Sequence, residues 1–412
     1  MAQDILGLAD KLWLGEVPIE QLHPISFSGD LTEVDDGVAF LPSFANVSVF
    51  SGDGLQLVDT GSPMFALSNY DKIRAWSRAP VTRAIYTHGH IDHVFGLGPF
   101  EKEAADKGWP LPEVVAHEAV VARFDRYRKT AGYNAVINRR QFQIDSLEWP
   151  TDYRYPDRTY STELSIDGFE LHHGKGETDD ATWVWVPSQK ILCCGDFFIW
   201  ASPNAGNPQK VQRYPVEWAH ALRTMAQLGA DLLLPGHGLP VVGADRITQV
   251  LSDSAELLES LIEQTFKLMN SGATLDATIH SVTAPAHLLE RPYLKPIYDE
   301  PEFIVRNLWR HYAGWYNGDP SDLKPAPAGS LAREIAALSG GAAHLAARAL
   351  EVDDLRVACH LVELALAAAP DDPTVRDANA SIYARRADAE ASTMSKGIFS
   401  WAARRSDGSG SA

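Results

Sequence analysis

Thr87-His88-Gly89-His90-Ile91-Asp92-His93 gathers four metal-binding side chains, His88, His90, Asp92 and His93, into six residues. Histidine nitrogen and carboxylate oxygen are donors that zinc accepts at about 2.0–2.2 Å. A loop this short cannot turn all four side chains onto one ion. Two ions a few ångströms apart relieve the geometry, with His88 and His90 on one, Asp92 and His93 on the other. Such a pair stabilises both the attacking and the leaving atom of a displacement. The bland alternative is a surface loop rich in histidine. It requires four ligand-type residues to gather by chance in a chain with 14 histidines among 412 residues. Ligand type favours zinc, while iron and manganese are compatible.

Outward from this loop, Val81 to Tyr86 reads as a strand and Gly96-Leu97-Gly98 as a turn. Val38 to Leu41, Val47 to Phe50 and Leu55 to Val58 read as short strands, the last two joined at Ser51-Gly52-Asp53-Gly54. Phe65 to Ser77 has the spacing of a helix. Further strands are expected at Leu171 to His173, Thr182 to Val186, Lys190 to Cys194 and Leu232 to Leu234. Strands interleaved with helices give an α/β layered fold class.

Two ion sites need more donors. Asp196 ends the apolar strand Ile191-Leu192-Cys193-Cys194-Gly195 and is suited to bridge two ions. A strand-end aspartate capping a turn is the ordinary alternative. His237 follows a strand and lies between Gly236 and Gly238, where the backbone can turn tightly. In the loop Gly174 to Asp180, Glu177 is one candidate; Asp179, Asp180, His172 and His173 remain open beside it.

Near residue 250 the character changes. Leu257, Leu258, Leu261, Ile262, Phe266 and Met269 recur at helical spacing before Gly272. Helix signals continue over Leu331 to Ser339 and His344 to Glu351. Leu355 to Ala369 and Val375 to Glu390 form a hairpin around Pro370-Asp371-Asp372-Pro373, an ordinary helix pair more than a repeat unit. The expected organisation is a catalytic domain over 1–250, an all-α domain over 251–405 and a disordered tail over 406–412. Tyr298, Arg306, Trp309, Trp315 and Tyr316 are of types that anchor interfaces.

Hydrophobic residues make up 45% of the chain, enough for a sizeable core. A net charge of −18 argues against a nucleic-acid partner, because phosphate binding needs a basic face. It argues more weakly against docking on anionic lipid. Three cysteines, with Cys193 and Cys194 adjacent and Cys359 alone, suggest a reducing compartment. With no leader-like segment and no long apolar run, the expectation is a cytoplasmic protein without a membrane span.

The order Asp59 (in Val58-Asp59-Thr60-Gly61), His88-x-His90-x-Asp92-His93, a loop ligand, Asp196, then His237 in a Gly-His-Gly turn resembles the metallo-β-lactamase superfamily. The resemblance implies an αββα sandwich, here followed by the helical domain, and two zinc ions per chain. One ion would be held by His88, His90 and the loop ligand, the other by Asp92, His93 and His237. Asp196 would bridge them and Asp59 would orient a ligand. Within that superfamily the chain looks most like the zinc-dependent alkylsulfatases, which use glutamate as the loop ligand, as Glu177 would be. Gln264 to Gly272, Gly314-Trp315-Tyr316-Asn317-Gly318-Asp319-Pro320 and Gly340-Gly341 resemble their dimerisation domain. The resemblance therefore implies a homodimer. Three features depart from those enzymes. Asp196 stands where they have glutamate, the loop Phe197 to Pro208 lacks histidine, and their C-terminal lipid-carrier-like domain is not expected here.

The implied activity is hydrolysis of an ester-type bond by a metal-bound hydroxide, with alkyl sulfate esters first. Lactone, carboxylic-ester or amide hydrolysis on the same site is the alternative. Asp92 and Asp196 would be catalytic, keeping the attacking group in line. Asn204, Asn207 and Arg213 would bind the substrate, Arg213 because its planar fork pairs two oxygens. Phe197, Phe198 and Trp200 suit either an apolar pocket for the substrate's tail or plain core. A metal-binding scaffold without turnover and a flavodiiron-like redox role are the remaining readings.

Overall fold

The computed structural model describes residues 4–407. Its first compact unit comprises the residues up to Ala131, then Pro150–Gly272 and Ala277–Tyr312. Among the described residues, seven strands form one sheet in sequence order, from Thr32–Asp35 to Arg158–Tyr160. Six form a second sheet, from Glu163–Ile166 to Val241–Val242. The expected hairpin is present, with Val47–Ser51 antiparallel to Leu55–Val58.

Side chains alternate across a strand, so each strand presents two faces. Val38, Phe40 and Phe50 join Val184, Leu192 and Cys194 in one core fed by both sheets. Phe50 meets Phe169 edge-on at 5.0 Å between them. Ala39, Leu41, Val49 and Leu57 are also fully buried, so the opposite face of the first sheet is covered too. This is the expected sandwich. Phe197, Phe198 and Trp200 belong to the same core.

Two parallel pairings place the functional loops. Val58 lies opposite Ile85, so Asp59 emerges beside the start of the histidine loop, its N–H donating to Ile85 O at 2.8 Å. Gly195 lies opposite Pro235, so Asp196 emerges beside His237. Thr182 N donates to Thr87 O at 2.7 Å and ties the two sheets together at this edge. Close approach also requires glycine at position 96. A Cβ there would lie 1.7 Å from the Thr60 carbonyl oxygen. Gly96→Ala is therefore expected to cost about 1–3 kcal/mol of stability. The readout is the denaturation midpoint, and an unchanged midpoint would mean that this contact yields freely.

The boundary expected at residue 250 falls inside the helix Ala244–Asn270. Val250, Leu251, Leu257, Leu258 and Leu261 of that helix enter the same core as Leu233 and Leu234. The helix up to Asn270 therefore belongs to the first unit, as does Trp309 with its helix Pro301–Ala313 as far as Tyr312.

The second unit comprises Gly132–Trp149, Ala273–Asp276 and the residues from Ala313 onward. Its helices pack through small side chains, including Ala346, Ala349, Ala358, Ala365 and Ala378. The hairpin expected around Pro370–Pro373 is formed by Leu355–Ala368 and Pro373–Asp388. Asp354 and Asp372 cap these helices, accepting from Arg356 N at 2.8 Å and Thr374 N at 2.9 Å. The expected tail needs correction. Ser406 and Asp407 close the helix Thr393–Asp407, and Ser406 Oγ donates to Asn379 Oδ1 at 2.7 Å. The remainder of that tail, 408–412, lies outside the described residues. No helix among them is long and apolar enough to cross a membrane.

Candidate metal centre

Seven candidate ligands lie beyond the carboxyl ends of four strands, Val81–Ile85, Phe169–His173, Ile191–Gly195 and Leu232–Pro235. Loops at that end of α/β strands are where such folds build their sites. Their donor atoms form two groups, His88, His90, Glu177 and Asp196 in one and Asp92, His93 and His237 in the other. Within each group the donor atoms lie within 4.8 Å of one another. Asp196 reaches both groups. Its Oδ2 lies 3.7 Å from His88 Nε2 and 3.4 Å from His237 Nε2, and its Oδ1 lies 3.5 Å from His93 Nε2. Gly236 makes this possible, because a Cβ there would sit 2.1 Å from Asp196 Oδ1.

The loop left open in the sequence resolves geometrically. Glu177 Oε2 lies 3.8 Å from His90 Nδ1. Asp180 instead accepts from Arg123 Nε at 2.6 Å and from Gly89 N at 3.1 Å, while Asp179 pairs with the same arginine. His173 stacks on His117 at 3.7 Å and His172 stacks on Trp183 at 5.4 Å.

The ring orientations follow from what each histidine's other nitrogen meets. His93 Nδ1 lies 2.7 Å from Asp59 Oδ2 and His237 Nδ1 lies 2.5 Å from Phe44 O, so Nε2 of each faces the group. Asp59 also accepts from Thr87 N at 2.7 Å and from Thr87 Oγ1 at 2.8 Å. It does so with φ at +60°, a conformation that a non-glycine residue keeps only when its surroundings enforce it. Partners of this kind fix ligand direction. Asp59→Ala is expected to weaken zinc binding about 10–100-fold, measured by competition with a chromophoric chelator. Unchanged affinity would remove Asp59 from the centre.

Two buried atoms here have no hydrogen-bond partner, His93 Nε2 and Asp196 Oδ1. Buried polar atoms are nearly always satisfied, so such orphans need a partner of another kind. Imidazole nitrogen and carboxylate oxygen on converging vectors fit a divalent ion such as zinc. Left to side chains alone, the charge divides unevenly. Burial pulls His88 down to about 4 and pushes Glu177 up to about 8. Burial would lower His237 as well, yet Asp196 and Asp92 hold it up at about 10.

Arg213 and Asn204 converge on Glu177. Arg213 Nη2 lies 3.0 Å from Glu177 Oε1, and Asn204 Nδ2 donates to that same oxygen. Asn207 instead accepts from Gln209 N at 3.1 Å within its own loop. The reading of the sequence missed Arg123, which with Asp180 holds the backbone between His88 and His90. A signal was available: Arg123 sits on the apolar stripe Val120–Phe124–Tyr127 of the helix Ala119–Lys129, where arginine needs a buried partner. It also missed Asn46, whose Nδ2 donates to the carbonyls of Pro235 and Gly238 at 2.9 Å each and braces the His237 turn.

Comparison with known proteins points the same way. Residues 41–237 match the metallo-β-lactamase superfamily and residues 274–408 match the alkyl sulfatase dimerisation family. A linear primary-alkylsulfatase of Pseudomonas sp. is 27% identical over 365 residues, covering 81% of this chain and 68% of that protein. An (R)-specific secondary-alkylsulfatase of Pseudomonas sp. is 26% identical over 332 residues, covering 72% and 50%. The solved structure of the stereoselective inverting sec-alkylsulfatase Pisa1 from Pseudomonas sp. superposes with a TM-score of 0.80 at 22% identity. The match covers 92% of this chain and 66% of that one, and it bears on the fold. The chain thus spans between about half and two thirds of the length of these relatives. Residues 41–237 are thus similar to the metallo-β-lactamase superfamily, and residues 274–408, which follow them, to the alkyl sulfatase dimerisation family.

Proposed function

We propose that this chain hydrolyses alkyl sulfate esters at two zinc ions, with His88, His90 and Glu177 on one, Asp92, His93 and His237 on the other, and Asp196 between them. The observation that carries the reading is the convergence of these seven side chains in two groups with one shared carboxylate. The curated relatives named as alkylsulfatases supply the substrate class. Two bound divalent ions would lower the pKa of a water to about 7 and draw charge from the ester in the transition state.

The chain's own residues do the rest. Asp59 and the Phe44 carbonyl occupy Nδ1 of His93 and His237, so Nε2 is the nitrogen that each would offer an ion. Asp92 and Asp196 flank the space between the two groups and orient the attacking group by accepting its hydrogen bonds. Arg213, paired with Glu177, offsets part of the negative charge of this otherwise acidic site. Asn207, in the loop that follows Asp196, remains the candidate to meet a substrate oxygen.

The test is sulfate release from a medium-chain alkyl sulfate by the zinc-loaded protein, run beside a lactone, a carboxylic ester and an amide. Zinc-dependent release from the alkyl sulfate is expected. Turnover of a carboxylic ester or lactone alone would move the assignment to the second reading. Asp196 in place of glutamate and the histidine-free loop behind it favour that reading.

We propose further that the chain is a homodimer through its second unit, where Trp315, Leu331 and Leu338 are 71%, 54% and 85% exposed. Sedimentation at micromolar concentration should give twice the chain mass; a monomer would contradict it. The three cysteines, none in a disulfide, suit a reducing cytoplasm.

A further inference from the structure

We propose that Arg213 and Asn204 act on Glu177 and not on the substrate. Together they hold one oxygen of its carboxylate, so that the other alone faces His88 and His90 as a one-oxygen ligand. The proposal rests on the reading of the site as a two-ion centre.

Both donors meet the same atom. Arg213 Nη2 lies 3.0 Å from Glu177 Oε1 and Asn204 Nδ2 donates to it as well. Arg213 Nη1 donates to the Glu177 carbonyl at 2.5 Å, so one guanidinium grips the side chain and the backbone of the ligand at once. Oε2 is left on the side of His90 Nδ1, at 3.8 Å. A planar guanidinium fixes a carboxylate in direction as well as in distance. Arg213, Asn204 and Glu177 are 1%, 4% and 5% exposed, so water does not compete for these contacts.

The clamp is itself held. Asn307, on the helix Pro301–Ala313, donates from Nδ2 to Arg213 O at 3.0 Å and accepts from Arg213 N at 3.4 Å. Gly206, two residues after Asn204, donates to Asp299 Oδ2 at 2.6 Å. A Cβ on Gly206 would lie 2.2 Å from the Phe303 carbonyl carbon, so this loop is pressed onto the same helix. Outer contacts locked in this way position a ligand before any ion arrives. Receiving two sulfate oxygens would need the arginine's fork. Here Nη1 and Nη2 each direct an N–H at Glu177, which commits that edge of the fork to the ligand, while Nε has no hydrogen-bond partner.

Metal counting separates the two roles. Wild type, Arg213→Met and Asn204→Ala are equilibrated in buffered zinc and their bound zinc is measured. Wild type is expected to hold two ions and each variant one, the lost ion binding about 10–100-fold more weakly. Raising free zinc should restore the second ion and kcat, with KM for the alkyl sulfate nearly unchanged. Two ions at unchanged affinity in both variants, with KM raised tenfold or more, would overturn the proposal and return Arg213 to the substrate. Should Arg213→Met fail to fold, Asn204→Ala decides alone. Zinc counting needs no substrate. A wild type that binds no zinc overturns the two-ion reading and this proposal with it. A wild type that binds two zinc ions without releasing sulfate overturns only the substrate, and the variants still decide.

Discussion

A His88→Ala chain is expected to keep at most one zinc ion and to lose alkyl sulfate turnover by a factor on the order of 10³ or more. A bound ion contributes several kcal/mol of transition-state charge stabilisation, and each 1.36 kcal/mol is tenfold in rate. His88 is only 2% exposed, and its Nε2 lies 2.8 Å from His90 Nδ1 and 3.7 Å from Asp196 Oδ2. Alanine removes one of the four donors of that group and leaves His90, Glu177 and Asp196 to hold the ion. On the proposed reading the ring serves as a ligand more than a packing element, so the variant should fold, and circular dichroism would check this. Two zinc ions with full activity in this variant would sink the assignment.

The second large effect is expected from Asp196→Asn. Asparagine keeps the shape, so packing against Gly236 is undisturbed. It removes the one carboxylate that reaches His88, His93 and His237 together. Both ions should bind more weakly and turnover should fall on the order of 10²–10³-fold, the range for removing one preorganised electrostatic element from an active site. Weakening of only one ion would show that Asp196 serves a single group, and the two-ion geometry would need another bridge.

How far the sequence carried the site depended on how far apart its parts lie. His88, His90, Asp92 and His93 share one loop, so spacing alone read them. Asp196 and His237 were legible because each follows an apolar strand, and parallel pairing then brings strand ends together. Glu177 could not be separated from Asp179 and Asp180 by spacing. What separates them is Arg123, more than fifty residues earlier, which draws both aspartates away. Eight of the thirteen strands among the described residues were legible to within two residues, while Thr32–Asp35, Glu113–His117, Arg158–Tyr160, Glu163–Ile166 and Val241–Val242 were not.

The change of unit was harder to read, because Ile247, Val250, Leu251 and Ser254 continue one buried stripe of a single long helix. The polar run Ser252-Asp253-Ser254 lies inside that helix and marks no boundary. The end of the chain shows the same limit. Ser406 resembles a loop residue by composition, yet its hydroxyl finds Asn379 and its carbonyl accepts from Arg376 Nε at 2.9 Å.

The most direct test of the central claim is a zinc titration of chelator-stripped protein, following sulfate release from a medium-chain alkyl sulfate at each step. The account predicts an inactive starting point and activity that climbs to a break at two equivalents per chain. Full turnover by the stripped protein, or a titration that leaves it silent with both ions bound, would contradict it.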